Sequence, residues 1–398
     1  MTAESRSAAE ATLRRARIAT IAFFAINGIV GFSILPRLAE IQQRTGLDDA
    51  GLGVALAAGT AGGLVVGPIA GVLVQRWGPV GTTAVMGLIG LPGLIAVGFA
   101  TTGVALAVAL CVLLAADAIM DSAMNTRALQ LQVAYGRTIV NSFHGWWSLA
   151  TIFGSGLGAV SAIIGIPLPV FTTAIAVFAG LATVVAWKID DVDIGGRPSH
   201  VSADTRPRRR RVATATMLRG GGLALIVFIM LAVTVEDVPV RWGSIYLTDL
   251  SQTASVVAIA YLALTSAQTI GRFLGDRIVD RFGQALVVRV SMLLVAIAMT
   301  LALVNGSAAA FIAASAVSGL GVATLFPAAM QAASTLPGVS AAMGIAVIAW
   351  FSRLGFVLSP LIVGLIAEGV GIRAGIATMA VAAVGLILIA GVVKERRV

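Results

Sequence analysis

A helix that crosses a bilayer needs about 20 consecutive apolar residues. This chain carries twelve such runs, at 18–38, 51–74, 80–101, 103–126, 140–163, 167–187, 221–247, 254–274, 285–304, 308–333, 340–367 and 373–393. Helices that are apolar all round have no face for water, so runs of this length read as membrane spans rather than as core helices of a soluble domain. Composition points the same way, with 11% charged residues where soluble domains carry about 25%. Short turns rich in Gly, Pro or Asn separate most of the runs, for example "GIP" at 165–167 and "NGS" at 305–307. One separator is long and polar. It divides the chain into a six-span half at 1–190, a basic linker at 191–219 and a second six-span half at 220–398. The predicted class is an all-α polytopic membrane protein with twelve transmembrane helices.

The formal net charge is +9. In a soluble protein such an excess would suggest nucleic acid, but here the basic residues cluster outside the apolar runs. Arg6, Arg14, Arg15 and Arg17 lie in the first tail, "RPRRRR" in the linker and "KERR" in the last tail. With an even number of spans all three fall on one side, which the positive-inside rule makes cytoplasmic. The expected location is therefore a bacterial cytoplasmic (inner) membrane, and no nucleic-acid partner is expected. Lipid-headgroup or nucleic-acid binding by the linker is the competing reading of its arginines. Cys111 is the one cysteine, and His144 and His200 are the two histidines. That excludes an intrachain disulfide and gives no metal-ligand set. No cofactor is expected, and an ion gradient is the natural energy source. The polar N-terminus with no small-residue cleavage pattern reads as preceding an uncleaved first span.

The halves repeat. "GVLVQRWG" at 71–78 and "DRIVDRFG" at 276–283 are 205 residues apart, "WWS" and "WFS" 204, and "SAMN" and "AAMQ" 206. A duplicated six-span unit is the simplest source of three matches at one offset, and such duplications place a binding site between the halves.

The twelve-span duplicated plan and the turn after spans two and eight resemble the major facilitator superfamily of secondary transporters, over essentially the whole chain. The resemblance implies that this turn gates the cytoplasmic ends of the helices. Gly71, Gln75, Arg76 and Gly78 carry it in the first half, with Gln75 where the family has an acid. Asp276, Asp280, Arg281 and Gly283 carry it in the second. A weaker first-half lock is expected from the missing acid. Within that superfamily, "MDSAMNTRALQLQ…GRTIVNSFHGWWSLATIFG" looks like the branch of bacterial fucose–proton symporters, whose fourth span reads ETAANP and whose fifth begins FNSFG. On that match Asp121 stands at the proton-carrying acid and Asn125 at the asparagine that follows it. The symporters have a second acid where this chain has Phe32.

Individual residues carry the rest. Asp117, Asp121 and Asn125 are four apart and so share one helix face. An acid in mid-span costs about 2.5–3.5 kcal/mol on insertion scales, so two must line water, pair or carry protons. Glu236 and Asp237 in span seven point about 100° apart; one is expected to face a cavity and to join proton coupling, unless both pair with Arg241. His144, close to Asp121 in expected depth, is a proton-relay candidate. Asn27, Asn125, Trp147, Gln268 and Arg353 are the substrate-binding candidates. For Arg353 an intramembrane ion pair is the stronger expectation, and for Trp147 packing competes with stacking on a ligand. Gly145, Gly154 and Gly158 keep the front half of the antiporter spacing of drug exporters without its Gly-Pro. The functional expectation is a proton-coupled carrier of a small polar organic solute, sugar-like or another metabolite, working by alternating access as a monomer in the lipid bilayer. Proton-driven efflux of drugs or metabolites is the alternative, and a non-transporting receptor or scaffold a remote one. No catalytic set suggests an enzyme.

Overall fold

The computed structural model of the protein describes residues 3–136, 139–190, 221–336 and 341–393. The linker at 191–219 and the basic last tail lie outside the described residues. Among the described residues the regular structure is entirely helical. Twelve helical stretches are long and apolar enough to cross a membrane, one for each run read from the sequence.

Several boundaries differ from the simple apolar runs, each for a local reason. Span four continues from Gly103 to Tyr135, because "TRALQLQVAY" keeps good helix formers beyond the apolar limit. Gly136 then ends it at φ 62°. Span two is not one helix. It runs Asp49–Val66, tightens into a 3-10 turn at Gly67–Ile69 and joins a helix at Ala70–Phe99, which bends through Gly78 at φ 72°, ψ 164° into span three. Span ten is also broken, into Ala308–Val322 and Leu325–Ser334. Pro327 accounts for that break, since it has no N–H for the carbonyl of Ala323 and its ring crowds that carbonyl.

The duplication is visible in the backbone. Positive φ occurs at Gly46 and Ser251, Gly78 and Gly283, and Gly165 and Gly371, pairs 205, 205 and 206 residues apart. Spans four and ten start on equivalent caps. Thr102 Oγ1 accepts from the Ala105 N–H at 3.2 Å, and Ser307 Oγ accepts from the Ala310 N–H at 3.3 Å. The turns that set helix length are thus shared between the halves at a constant offset.

Two compact units emerge, one of residues 1–46 with 58–199 and one of 47–57 with 200–398. In the first, span two lies close on span four, where a Cβ on Gly63 would stand 2.9 Å from the Leu114 carbonyl oxygen. Span five lies equally close on span one. A Cβ on Gly154 would stand 2.7 Å from Ile29 Cα, and one on Gly158 would collide with the Ser33 carbonyl. Gly154 and Gly158, two of the glycines with antiporter spacing, therefore serve helix packing. At the far end of span one, buried Arg37 donates to Glu40, to Ser161 Oγ at 3.2 Å and to the Ile166 carbonyl at 2.9 Å. In the second unit Trp242 and Tyr246 are fully buried, Tyr246 lying 4.9 Å from the Phe311 ring. There a Cβ on Gly53 would collide with the Pro360 carbonyl, which ties residues 47–57 to this unit.

Candidate functional site

In the first unit, span four presents its acids at successive turns. Asp117 accepts a 2.6 Å hydrogen bond from Asn27 Nδ2 of span one. The carbonyl of the same amide accepts from the Trp147 indole N–H of span five at 2.9 Å. Three helices therefore meet through one acid, one amide and one indole. Trp147 is held edge-on against Phe32, centroids 5.5 Å apart. One turn along, Asp121 Oδ1 accepts from Asn125 Nδ2 at 3.0 Å, and that same NH2 group also reaches the Asp121 backbone carbonyl at 2.9 Å. All five residues are half-buried, so the polar ladder is sheltered yet not sealed.

His144 is exposed, with its ring edge-on to Phe24 at 5.3 Å. Below the ladder, Arg127 makes a two-pronged ion pair with Asp190 at the end of span six and also donates to Gln130 at 3.3 Å. Both charged groups are buried. Burial pushes the Asp190 carboxyl above its ordinary value, and Arg127 pulls it back only in part. The sequence reading missed this pair. Its partners are 63 residues apart; Arg127 lies in the quoted span-four stretch, but nothing in the sequence around Asp190 marks it as the partner.

The second unit separates the adjacent acids of span seven, as their angular offset requires. Glu236 accepts from Gln268 Nε2 of span eight at 2.6 Å, and Arg272 Nη2 lies 3.7 Å from the same oxygen. Asp237 turns the other way and pairs with Arg241 on its own helix. It is buried, and its second oxygen has no hydrogen-bond partner. Arg272 was also missed by the sequence reading. The available signal was its spacing, four residues after Gln268 and so on the same face of span eight.

One expectation needs correction. Arg353 forms no ion pair among the described residues and is exposed in span eleven, beside exposed Trp350. The helix turns it away from the buried side carried by Ser352, Gly355 and Ser359. Gly71 has open space where its Cβ would be, so close approach does not require glycine there. The other gating glycines do have a backbone role, Gly78 and Gly283 standing at φ 72° and 79°. Gln75, Arg76, Asp280 and Arg281 are exposed around these turns. The Asp276 side chain lies outside the described residues.

The major facilitator superfamily model matches residues 212–397. An uncharacterised transporter, y4wD, of Sinorhizobium fredii is 27% identical over 356 residues, 88% of this chain and 90% of the relative. An uncharacterised MFS-type transporter of Yersinia pestis is 28% identical over 350 residues, 87% and 88% respectively. The chain is thus similar to transporters of the major facilitator type, with the family model covering its second half. Its fold is shared with a crystallised variant of the nucleoside transporter NupG, at TM-score 0.79 and 14% identity over 95% of this chain and 98% of that one. These proteins are transporters, not enzymes. The transporter described here is accordingly a multi-pass membrane protein whose acid ladder sits inside its first six-span unit.

Proposed function

We propose that this transporter is a proton-coupled secondary carrier of a small polyhydroxylated solute, sugar-like or nucleoside-like, working by alternating access in a bacterial cytoplasmic membrane. One observation carries the reading. Two acids and an amide stand at successive turns of span four, and the first acid is joined through Asn27 to the indole of Trp147. Acids in a span are costly and mark ion or substrate pathways. Asp121, which accepts from the amide of Asn125 on its own helix, is the proton carrier. Asp117, Asn27 and Trp147 form the solute-binding wall, an acceptor and donor array beside an aromatic face of the kind that recognises hydroxylated rings. Support for the solute class comes from the likeness of span four to the fucose–proton symporter branch and from the nucleoside specificity of NupG, its neighbour in fold. Glu236, Gln268 and Arg272 supply a second polar cluster on spans seven and eight.

The test is solute-induced proton movement in proteoliposomes, using a panel of monosaccharides and nucleosides with the native protein and Asp121→Asn. A solute that drives protons in the native protein and moves without them in Asp121→Asn supports the reading. Proton-coupled transport of equal rate in both proteins would overturn it.

A further inference from the structure

A groove of about 650 Å³ opens between spans eight, nine and ten of the second unit, and its lining includes no residue of either acid cluster. Its size falls in the range of small-ligand sites, about 300–1,000 Å³. The walls are apolar and exposed along the helices, with Leu274, Ile278 and Phe282 from span eight, Leu286 and Leu294 from span nine and Leu320 from span ten. Exposed apolar side chains on membrane spans meet hydrocarbon, so the occupant must be hydrocarbon-compatible. The floor is built by glycine. A Cβ on Gly271 would lie 2.7 Å from Ala323 Cβ, and one on Gly275 would lie 2.8 Å from Thr324 Cγ2. Those partners are the residues at the Pro327-induced break in span ten, so the break lets span eight sink inward and leaves the groove in front of it.

The mouth of the groove is basic. Arg281 lies over the ring of the wall residue Phe282, its guanidinium carbon 5.4 Å from the centroid. Arg277 and Arg289 are exposed on the same two helices, and residues 271–290 hold four arginines against two aspartates. This end of spans eight and nine faces the same side as the basic tails, where anionic headgroups attract arginine. An apolar slot with cations at its leaflet end complements a lipid that joins a long chain to a negative headgroup.

We propose that the groove between spans eight, nine and ten binds one anionic phospholipid of the basic-side leaflet, with an acyl chain against Leu274, Leu294 and Leu320 and the phosphate held by Arg281 and Arg289. The occupant is a structural lipid rather than transported solute.

Native mass spectrometry of the delipidated full-length protein, offered equimolar dioleoyl phosphatidylglycerol and dioleoyl phosphatidylcholine, tests this. One phosphatidylglycerol is retained over phosphatidylcholine by about tenfold. The double variant Arg281→Gln/Arg289→Gln loses that preference. Leu320→Trp, which fills the slot, loses the retained lipid, while Leu320→Ala, which leaves it open, keeps it. Equal retention of the two lipids by the native protein, an unchanged preference in the double variant, or the same retention in Leu320→Trp as in Leu320→Ala would each overturn the proposal.

Discussion

The two six-span units share turn geometry at a constant offset but hold their intramembrane acids differently. In the first, Asp117 is bonded to Asn27 and Asp121 to Asn125. In the second, Glu236 and Asp237 each have an arginine beside them, Arg272 and Arg241. The repeat therefore preserved the scaffold and not the chemistry. Removing the arginine from a buried acid leaves charge uncompensated, whereas removing a neutral amide costs a hydrogen bond.

Perturbing each partner in turn tests the contrast. Arg241→Met strands the buried Asp237, and should lower unfolding free energy in mixed micelles by about 3–5 kcal/mol. A loss below that of the amide variant described next would erase the distinction between the units. Asn27→Ala, which removes only a neutral partner, should cost about 1–3 kcal/mol as Asp117 and the Trp147 indole lose their bonds. It should also impair solute binding in the first unit, whereas Arg241→Met should act on stability.

A third variant probes the packing of span five on span one. Gly158→Ala, placed against the Ser33 carbonyl, should cost about 1–3 kcal/mol, while Gly156→Ala, with open space around it, should be neutral or slightly stabilising. Equal effects at the two glycines would remove the steric account of the span one–span five contact.

The smallest effect concerns Asp190. Its folded-state pKa is raised above 3.8 by burial. The protonated form is therefore favoured by folding, and this group's contribution is fully present below its ordinary value and lost as pH rises through the raised one. The thermal midpoint should carry a falling component over that window, and Asp190→Asn should remove it. A pH profile identical in the two proteins would mean that Asp190 does not titrate differently on folding.

Much of the plan was legible in the chain. A bilayer span demands about 20 apolar residues, so the twelve helices could be counted from hydropathy. The 205-residue offset read from short motifs recurs in the positive-φ pairs Gly78–Gly283 and Gly46–Ser251. The face shared by Asp117, Asp121 and Asn125 followed from helical periodicity. The partners of those residues did not. Asn27 and Asp117 are 90 residues apart and Arg127 and Asp190 are 63 apart, and no local pattern encodes a meeting at that separation. Arg353 shows the same limit from the other side, since its cost in a span predicted an ion pair that the described residues do not form.

By itself the sequence determined that the protein crosses a membrane, that its two halves share motifs at a constant offset, and that span four carries a polar stripe. Those follow from local physics, namely hydrophobic length, period and the turn preferences of glycine and proline. Tertiary structure alone decided that Asp117 joins three helices through Asn27 and Trp147, that Asp237 takes Arg241 while Glu236 faces span eight, and that the break at Pro327 opens an apolar groove beside Arg281. Each of these depends on which helix faces pack together, and packing is settled by contacts between residues far apart in the chain.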